Sequence, residues 1–352
     1  MLKYVNRSPL PASISYIWNF GRILGVLVAS QIVSGLLLRT IYRCNPLLSF
    51  TRVIRLTQDV PVGAFLRSVH ANGASFLFIF LYLHIGKAVY YRSFFTAPLV
   101  WIRGLTIYLL FMATAFLGYV LPWGQISLWG ATVITNLISA IPVIGTIAVE
   151  WVWGGFRVDE PTLGRFYSLH FLVPLVTSAI IIVHLAVLHN KGRTNPLLEL
   201  SGLNKIRFAP YFLWKDFLGF AALLIIILTV CVWYPNRLGD PENYIIANRI
   251  VTPPHIIPEW YFLFAYAILR VIPNKLGGVI GLLTSIVIFY ALPFRKNIQR
   301  STDLVWKFKV WILVGRFFGL TVLGSKPVEF PYTVAAVVFS VSYFTTFIVI
   351  YL

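Results

Sequence analysis

Residues 65–90 read FLRSVHANGASFLFIFLYLHIGKAVY, and residues 166–188 read FYSLHFLVPLVTSAIIIVHLAVL. Each run holds two histidines, His70 and His84 in the first and His170 and His184 in the second, fourteen residues apart in both. Both runs reach the ~20 apolar residues that a helix needs to cross a bilayer. On such a helix fourteen residues make about four turns, so the two rings of a pair leave nearly the same side, roughly 21 Å apart along the axis. Two such helices face to face set His70 against His170 and His84 against His184. Each opposed pair of imidazoles can hold one planar metal group. Imidazoles inside a membrane are rare and mark sites. The alternative is four unrelated polar side chains satisfied by neighbours, and the repeated spacing weighs against it.

The composition agrees with a membrane chain. Of 352 residues, 59% are hydrophobic and 11% charged, far from the balance of a soluble domain. The long apolar runs do not alternate, which excludes a β-barrel. The net charge of +18 suggests nucleic acid in a soluble protein. Here the cations cluster between apolar runs, where they act as topology signals, so no nucleic acid is expected. Cys44 and Cys231 lie far apart, so neither a disulfide nor a cysteine metal site is expected. The first twenty residues lack the apolar core of a cleavable signal.

Eight spanning segments are expected, at roughly 19–39, 65–91, 104–122, 166–189, 215–234, 276–294, 304–323 and 332–352. Two further apolar stretches are interrupted, 127–149 by Pro142 and Gly145, and 258–273 by proline at both ends. They read as surface or re-entrant helices, tolerated where they line a cavity. Loops on the N-terminal side hold eleven Lys and Arg against eight on the other, which puts both termini on the negative side of the membrane. His70 and His170 then lie near the positive side, and His84 and His184 near the negative side.

The glycines repeat the period. Gly21 and Gly35 are fourteen apart in the first segment, as are Gly104 and Gly118 in the third. A flat macrocycle edge needs close backbone approach, which glycine permits; ordinary small-residue helix packing is the other explanation. With the histidine period, the pattern gives an all-α membrane protein whose first four helices form a bundle around two haems. Each haem has two histidine ligands and no open iron position, as electron transfer requires. Arg67, Arg165 and Lys87 lie three, five and three residues from a ligand, where they pair with haem propionates or simply flank a span.

Several stretches then resemble one family. They are Trp18-Asn19-Phe20-Gly21, Gly118 to Gln125 (GYVLPWGQ), Trp129 to Leu137 (WGATVITNL), Pro258-Glu259-Trp260-Tyr261 and Pro327-Val328-Glu329. The chain resembles cytochrome b of the respiratory quinol–cytochrome c reductase, the bc complex or complex III. The equal histidine spacing and the single continuous chain resemble its mitochondrial and purple-bacterial branch. The resemblance implies a di-haem domain over 1–200 and a quinol-site and packing domain over 201–352. It implies ubiquinol oxidation near the positive side and quinone reduction near the negative side, joined by two b-type haems and coupled to proton translocation. The implied partners are a Rieske-type iron–sulfur protein, a membrane-anchored c-type cytochrome, further complex III subunits, a second copy in a dimer, and lipids such as cardiolipin. The implied location is the mitochondrial inner membrane, with a bacterial inner membrane as the alternative.

Residue by residue, Glu259 is the one acid of 258–273 and is suited to accept a quinol proton in an apolar pocket. Tyr119, Gly130, Trp260 and Tyr266 match positions around that pocket; Tyr266 either orders quinol through its hydroxyl or packs. His189 and Asp216 match positions flanking bound quinone at the other side, with Lys215 beside them, and His189 has a pKa range suited to proton transfer. Lys215 and Asp216 also read as a helix-end charge pair. The chain departs from the family at several positions. Lys87 stands for an arginine, losing the bidentate fork. Arg193 stands for a small polar residue, which weakens the quinone contacts implied there. Arg22 replaces a small polar residue, and Lys307, Lys309 and Arg316 lie in the seventh segment. Lys307, Lys309 and Arg22 can snorkel; Arg316 is deeper and calls for a lipid head group or an added subunit. The competing readings are a di-haem anchor cytochrome of another quinone-linked dehydrogenase, which would lack the Pro-Glu-Trp-Tyr stretch, and a proton-coupled transporter, which would hold no haem.

Overall fold

A computed structural model of the chain describes residues 9–192, 194–196, 204–294 and 304–351. Arg193 lies outside the described residues. Twelve helices carry the architecture: α1 (Phe20–Arg39), α2 (Ser49–Asp59), α3 (Gly63–Tyr90), α4 (Pro98–Val120), α5 (Gln125–Asn136), α6 (Gly145–Trp153), α7 (Glu160–Lys191), α8 (Leu213–Trp233), α9 (Leu263–Val271), α10 (Lys275–Val287), α11 (Leu304–Gly324) and α12 (Tyr332–Tyr351). Among the described residues seven helices are long and apolar enough to cross a membrane. They correspond to seven of the eight expected segments. The other, 304–323, is the helix α11, but it carries Lys307, Lys309 and Arg316.

The interrupted apolar stretches are short helices. Residues 127–149 divide into α5 and α6 around Pro142, and 258–273 becomes a 3-10 turn over Trp260–Phe262 followed by α9. Two elements lie outside the apolar pattern. The helix α2 is amphipathic and too polar to span. Strands β1 (Pro9–Pro11) and β2 (Lys205–Arg207) pair antiparallel, Pro9 against Arg207. Their pairing joins segments some two hundred residues apart, which no local period reveals. Cys44 and Cys231 are free thiols.

The contacts divide the chain into two compact units. One is made of residues up to Ile41, Leu56–Tyr108 and Thr177–Leu238; the other of Tyr42–Arg55, Leu109–Val176 and Gly239 onward. In the first, α1 packs along α3 and α8 against both. Polar side chains tie α3 to the end of α8: Ser68 Oγ donates to the Cys231 carbonyl (3.1 Å), and Asn72 Nδ2 donates to Ser68 Oγ (3.0 Å) and the Pro235 carbonyl (2.9 Å). Such bonds replace the hydrophobic drive that lipid cannot supply between helices. In the second unit α9 packs on α10, α11 and α12. A core of Leu117, Val120, Trp123, Leu128, Ala131, Val158, Leu163 and Phe166 lies where α4, α5 and α7 meet. The loop after Asp240 is pinned onto α5. Gln125 Nε2 donates to the Val251 carbonyl (3.0 Å), and Ser127 Oγ donates to Asn243 Oδ1 (2.8 Å).

Candidate functional site

Each of the four histidines meets one of the four glycines. A β-carbon at Gly21 would stand 3.2 Å from Cε1 of His84, one at Gly104 3.3 Å from Cε1 of His184, and one at Gly35 3.0 Å from Cε1 of His70. At Gly118 it would overlap the His170 ring. The fourteen-residue period of the glycines is thus the period of the histidines seen from the neighbouring helix. The glycines give room first to the rings.

The rings are also held by hydrogen bonds. His170 Nδ1 donates to the Thr114 carbonyl (2.8 Å), one helical turn before Gly118. The Ser34 hydroxyl donates to the Ser30 carbonyl (2.7 Å), so toward His70 Nδ1 (2.9 Å) it accepts. With the proton on Nδ1, Nε2 of each ring keeps its lone pair, the form a metal ligand needs. In the first unit Nδ1 of His84 and of His184 are buried without a hydrogen bond of normal geometry, although His184 turns toward the Val100 backbone, again one turn before its glycine.

The first unit alone brings together His84, His184, Gly21 and Gly104, and both His184 and Lys87 lie within electrostatic range of the His84 ring. Arg103, beside Gly104, joins them there: it lies in electrostatic range of His184, and its Nη1 is buried without a hydrogen-bond partner. This residue escapes sequence reasoning focused on cations near the histidines themselves; its place next to a periodic glycine was the available signal. His70 and Gly35 lie in the first unit, His170 and Gly118 in the second. The donor set fits b-type haem: imidazoles, close-approach glycines and a buried guanidinium nitrogen without a partner, suited to a carboxylate edge. Among the described residues no group of three or more His, Cys, Asp and Glu is arranged to hold a metal ion.

Two of the flanking cations meet groups within the chain. Lys87 lies over the Trp18 ring, 4.2 Å from its centroid. Arg165 is exposed and donates to the carbonyls of Trp151 and Val152 at the C-terminus of α6, a favourable place for a cation. Arg67 is half-buried, one turn before His70.

In the second unit α4, α5, the 251–259 loop and α9 enclose an apolar hollow of about 470 Å³ including its open mouth. Tyr119, Gly130, Pro258, Glu259 and Tyr266 all line it, so the structure collects these expected residues in one place. Trp260 is not among the lining residues; it packs edge-on to Tyr261 at 5.6 Å. The Tyr266 hydroxyl donates to the Ile256 carbonyl (3.3 Å). Gly130 has no other group within 4 Å of where a β-carbon would stand. Glu259 is pushed up to about 7, chiefly by burial; the Tyr119 hydroxyl that reaches it opposes the shift and the Asp240 charge adds to it. A carboxyl poised there exchanges protons at neutral pH.

The other expected polar group lies in the first unit. Asp216 is buried and ion-paired with Arg22, whose guanidinium also lies over the Phe208 ring at 5.0 Å. Lys215 points away, donating to the Ile14 carbonyl (2.6 Å) and lying 4.8 Å from the Tyr16 ring centroid. Nearby, Asn19 is buried with its Oδ1 unpartnered. His189, on the last turns of α7, is exposed.

A solved structure described as "Hyperthermophilic respiratory Complex III" contains a chain 29% identical, with a TM-score of 0.92, over 99% of this chain and 93% of that one. The family model Cytochrome b/b6/petB matches residues 5–192, and Cytochrome b(C-terminal)/b6/petD matches residues 246–344. With both of the family's models matched along its length, this chain belongs to the cytochrome b family of the bc-type complexes.

Proposed function

We propose that the chain is the di-haem subunit of a quinol–cytochrome c reductase, with two bis-histidine b haems and two quinone sites. The observation that carries the reading is the one-to-one facing of four histidines and four glycines, each set at one repeated spacing. His70 with His170, and His84 with His184, would each hold one haem, and Arg103 would meet a propionate of the second. Haem b, when bound, accepts and passes on single electrons. The first four long helices, α1, α3, α4 and α7, form the bundle around the haems, and α11 is the eighth span. Residues 1–200 make the di-haem domain and 201–352 the quinol-site domain. Both termini lie on the negative side. The membrane is the mitochondrial inner membrane, with the bacterial inner membrane as the alternative.

The hollow around Glu259 takes the quinol head. Its apolar walls exclude water, Gly130 leaves room for the ring, and Tyr266 shapes the wall with its hydroxyl anchored to Ile256. Glu259 accepts a hydroxyl proton from quinol and hands it outward; the Tyr119 hydroxyl holds the carboxylate in place meanwhile. At the other side His189 supplies a proton to quinone, and Asp216 shapes that site. The iron–sulfur protein, the c-type cytochrome, a second copy of the chain and cardiolipin complete the assembly.

The deciding experiment is a reduced-minus-oxidised spectrum titrated against potential, with quinol-dependent cytochrome c reduction on the same sample. Two b components with separate potentials and quinol activity are expected. A single component, or none, rejects the reading.

A further inference from the structure

The helix α11 carries cations through a stretch that is otherwise apolar. Lys309 Nζ donates to the Val349 carbonyl (3.0 Å), and Arg316 Nη1 donates to the Ser342 carbonyl. Donors and acceptors are each seven residues apart, so the two bonds form rungs between α11 and the antiparallel α12. The rungs differ in kind. Val349 lies in the last turn of α12, where carbonyls lack helical partners and a cation suits the helix dipole. Ser342 lies in mid-helix, and its carbonyl already accepts from Thr346 Oγ1 (2.8 Å). Lys309 is therefore answered within the chain. Arg316 has no carboxylate partner among the described residues, and its one hydrogen bond is to the Ser342 carbonyl.

Arg316 is also deep. About 18 Å of helix separates it from Leu304 and about 12 Å from Gly324, near the middle of a hydrocarbon layer ~30 Å thick. A lipid phosphate lies at the edge of that layer, so a guanidinium at this depth is better met by a side chain of another helix. The surface beside it suits one. Gly315 is exposed, with nothing within 4 Å of where a β-carbon would stand, and Trp311 and Phe318 are 63% and 62% exposed. A bare glycine next to a cation lets a second backbone come close.

We infer that α11 docks a transmembrane helix of a different subunit, one that carries an Asp or Glu at mid-membrane and sets it against Arg316. The inference rests on the eight-span reading above. Among the described residues of its long apolar helices, a second copy of this chain offers no unpaired acid at that depth. In the seven apolar spans the acids are Glu160, at the very start of one, and Asp216, which is buried and paired with Arg22; α11 itself has none.

The test is native mass spectrometry of the purified complex carrying Arg316→Leu, Arg316→Glu or Arg316→Lys. One single-span subunit with a mid-span Asp or Glu should fall at least tenfold in occupancy in the first two and stay in the third. The two-component b spectrum should persist in all three. Full occupancy of every subunit in the Leu and Glu variants, or loss of phospholipid alone, overturns the inference. If those variants do not assemble, a photo-crosslinking residue at Phe318 in the intact complex decides. An adduct with the acid-bearing subunit supports the inference, and adducts with lipid alone or with a second copy overturn it. A wild-type preparation lacking two b components would instead sink the proposed function, whatever the subunit result.

Discussion

A β-carbon on Gly118 and the ring of His170 claim the same space, and the Thr114 carbonyl one turn away fixes that ring through Nδ1 at 2.8 Å. The histidine is thus set by two features of the facing stretch of α4, an absence of side chain and a backbone acceptor.

Alanine at the four glycines should therefore rank by how closely the β-carbon would approach. Gly118→Ala is the most damaging, Gly35→Ala next, and Gly21→Ala and Gly104→Ala are milder, with their closest approaches at 3.2 and 3.3 Å. Overpacking costs about 1–3 kcal/mol. The measurement is haem content and the amplitude of each b component for the four variants. Equal losses at all four would show that the glycines serve helix packing instead.

Glu259 predicts a pH limb in quinol oxidation. Its carboxylate is the proton-accepting form, and with the group raised to about 7 that form grows as pH rises through neutrality. The rate should climb with pH below about 7 and level off above it. Glu259→Gln should remove the limb and cost roughly 10²–10⁴ in rate. The Tyr119 hydroxyl favours the carboxylate, so Tyr119→Phe should move the limb to higher pH. Steady-state rates against pH for the three proteins check this, and an unmoved limb in Glu259→Gln would reassign the base.

Gly130→Ala adds a methyl group to the wall of the hollow, where nothing obstructs it. The folded protein should keep its b spectrum and thermal stability within about 0.5 kcal/mol. Quinol KM should rise by roughly 5- to 150-fold, since one methylene in a pocket is worth about 1–3 kcal/mol. Titration of activity against quinol concentration reads the change; an unaltered KM would place the ring elsewhere.

Arg22 and Asp216 should behave as a unit. Arg22→Leu takes the guanidinium from a carboxylate whose side chain is 6% exposed, at a cost of up to about 3 kcal/mol. Replacing both by leucine should cost less than Arg22→Leu alone, because no buried carboxylate then remains. Thermal unfolding of the two single variants and the double closes the cycle. Strict additivity would show that the pair contributes no coupling.

Much of this protein is local and was legible in the sequence. The apolar runs marked the seven long helices to within a few residues at most ends, because a span must satisfy every backbone group within itself. The fourteen-residue periods named the four histidines and four glycines, since a helix converts spacing into a shared face. Pro142 and Pro273 marked where helices stop, and Pro258 where the next helical stretch begins. Other features depend on partners distant in sequence and were decided only by the tertiary structure. Sequence offered Gly118 to a macrocycle edge or to helix packing, and the fold shows that the His170 ring is the group facing it. It placed Arg165 near a ligand, whereas the fold sends it to the end of α6. It set Asp216 beside a quinone or in a pair with Lys215 and let Arg22 snorkel, and the fold joins Asp216 to Arg22. Periodicity reports which face of a helix a residue occupies. Which group waits opposite that face depends on how the helices pack.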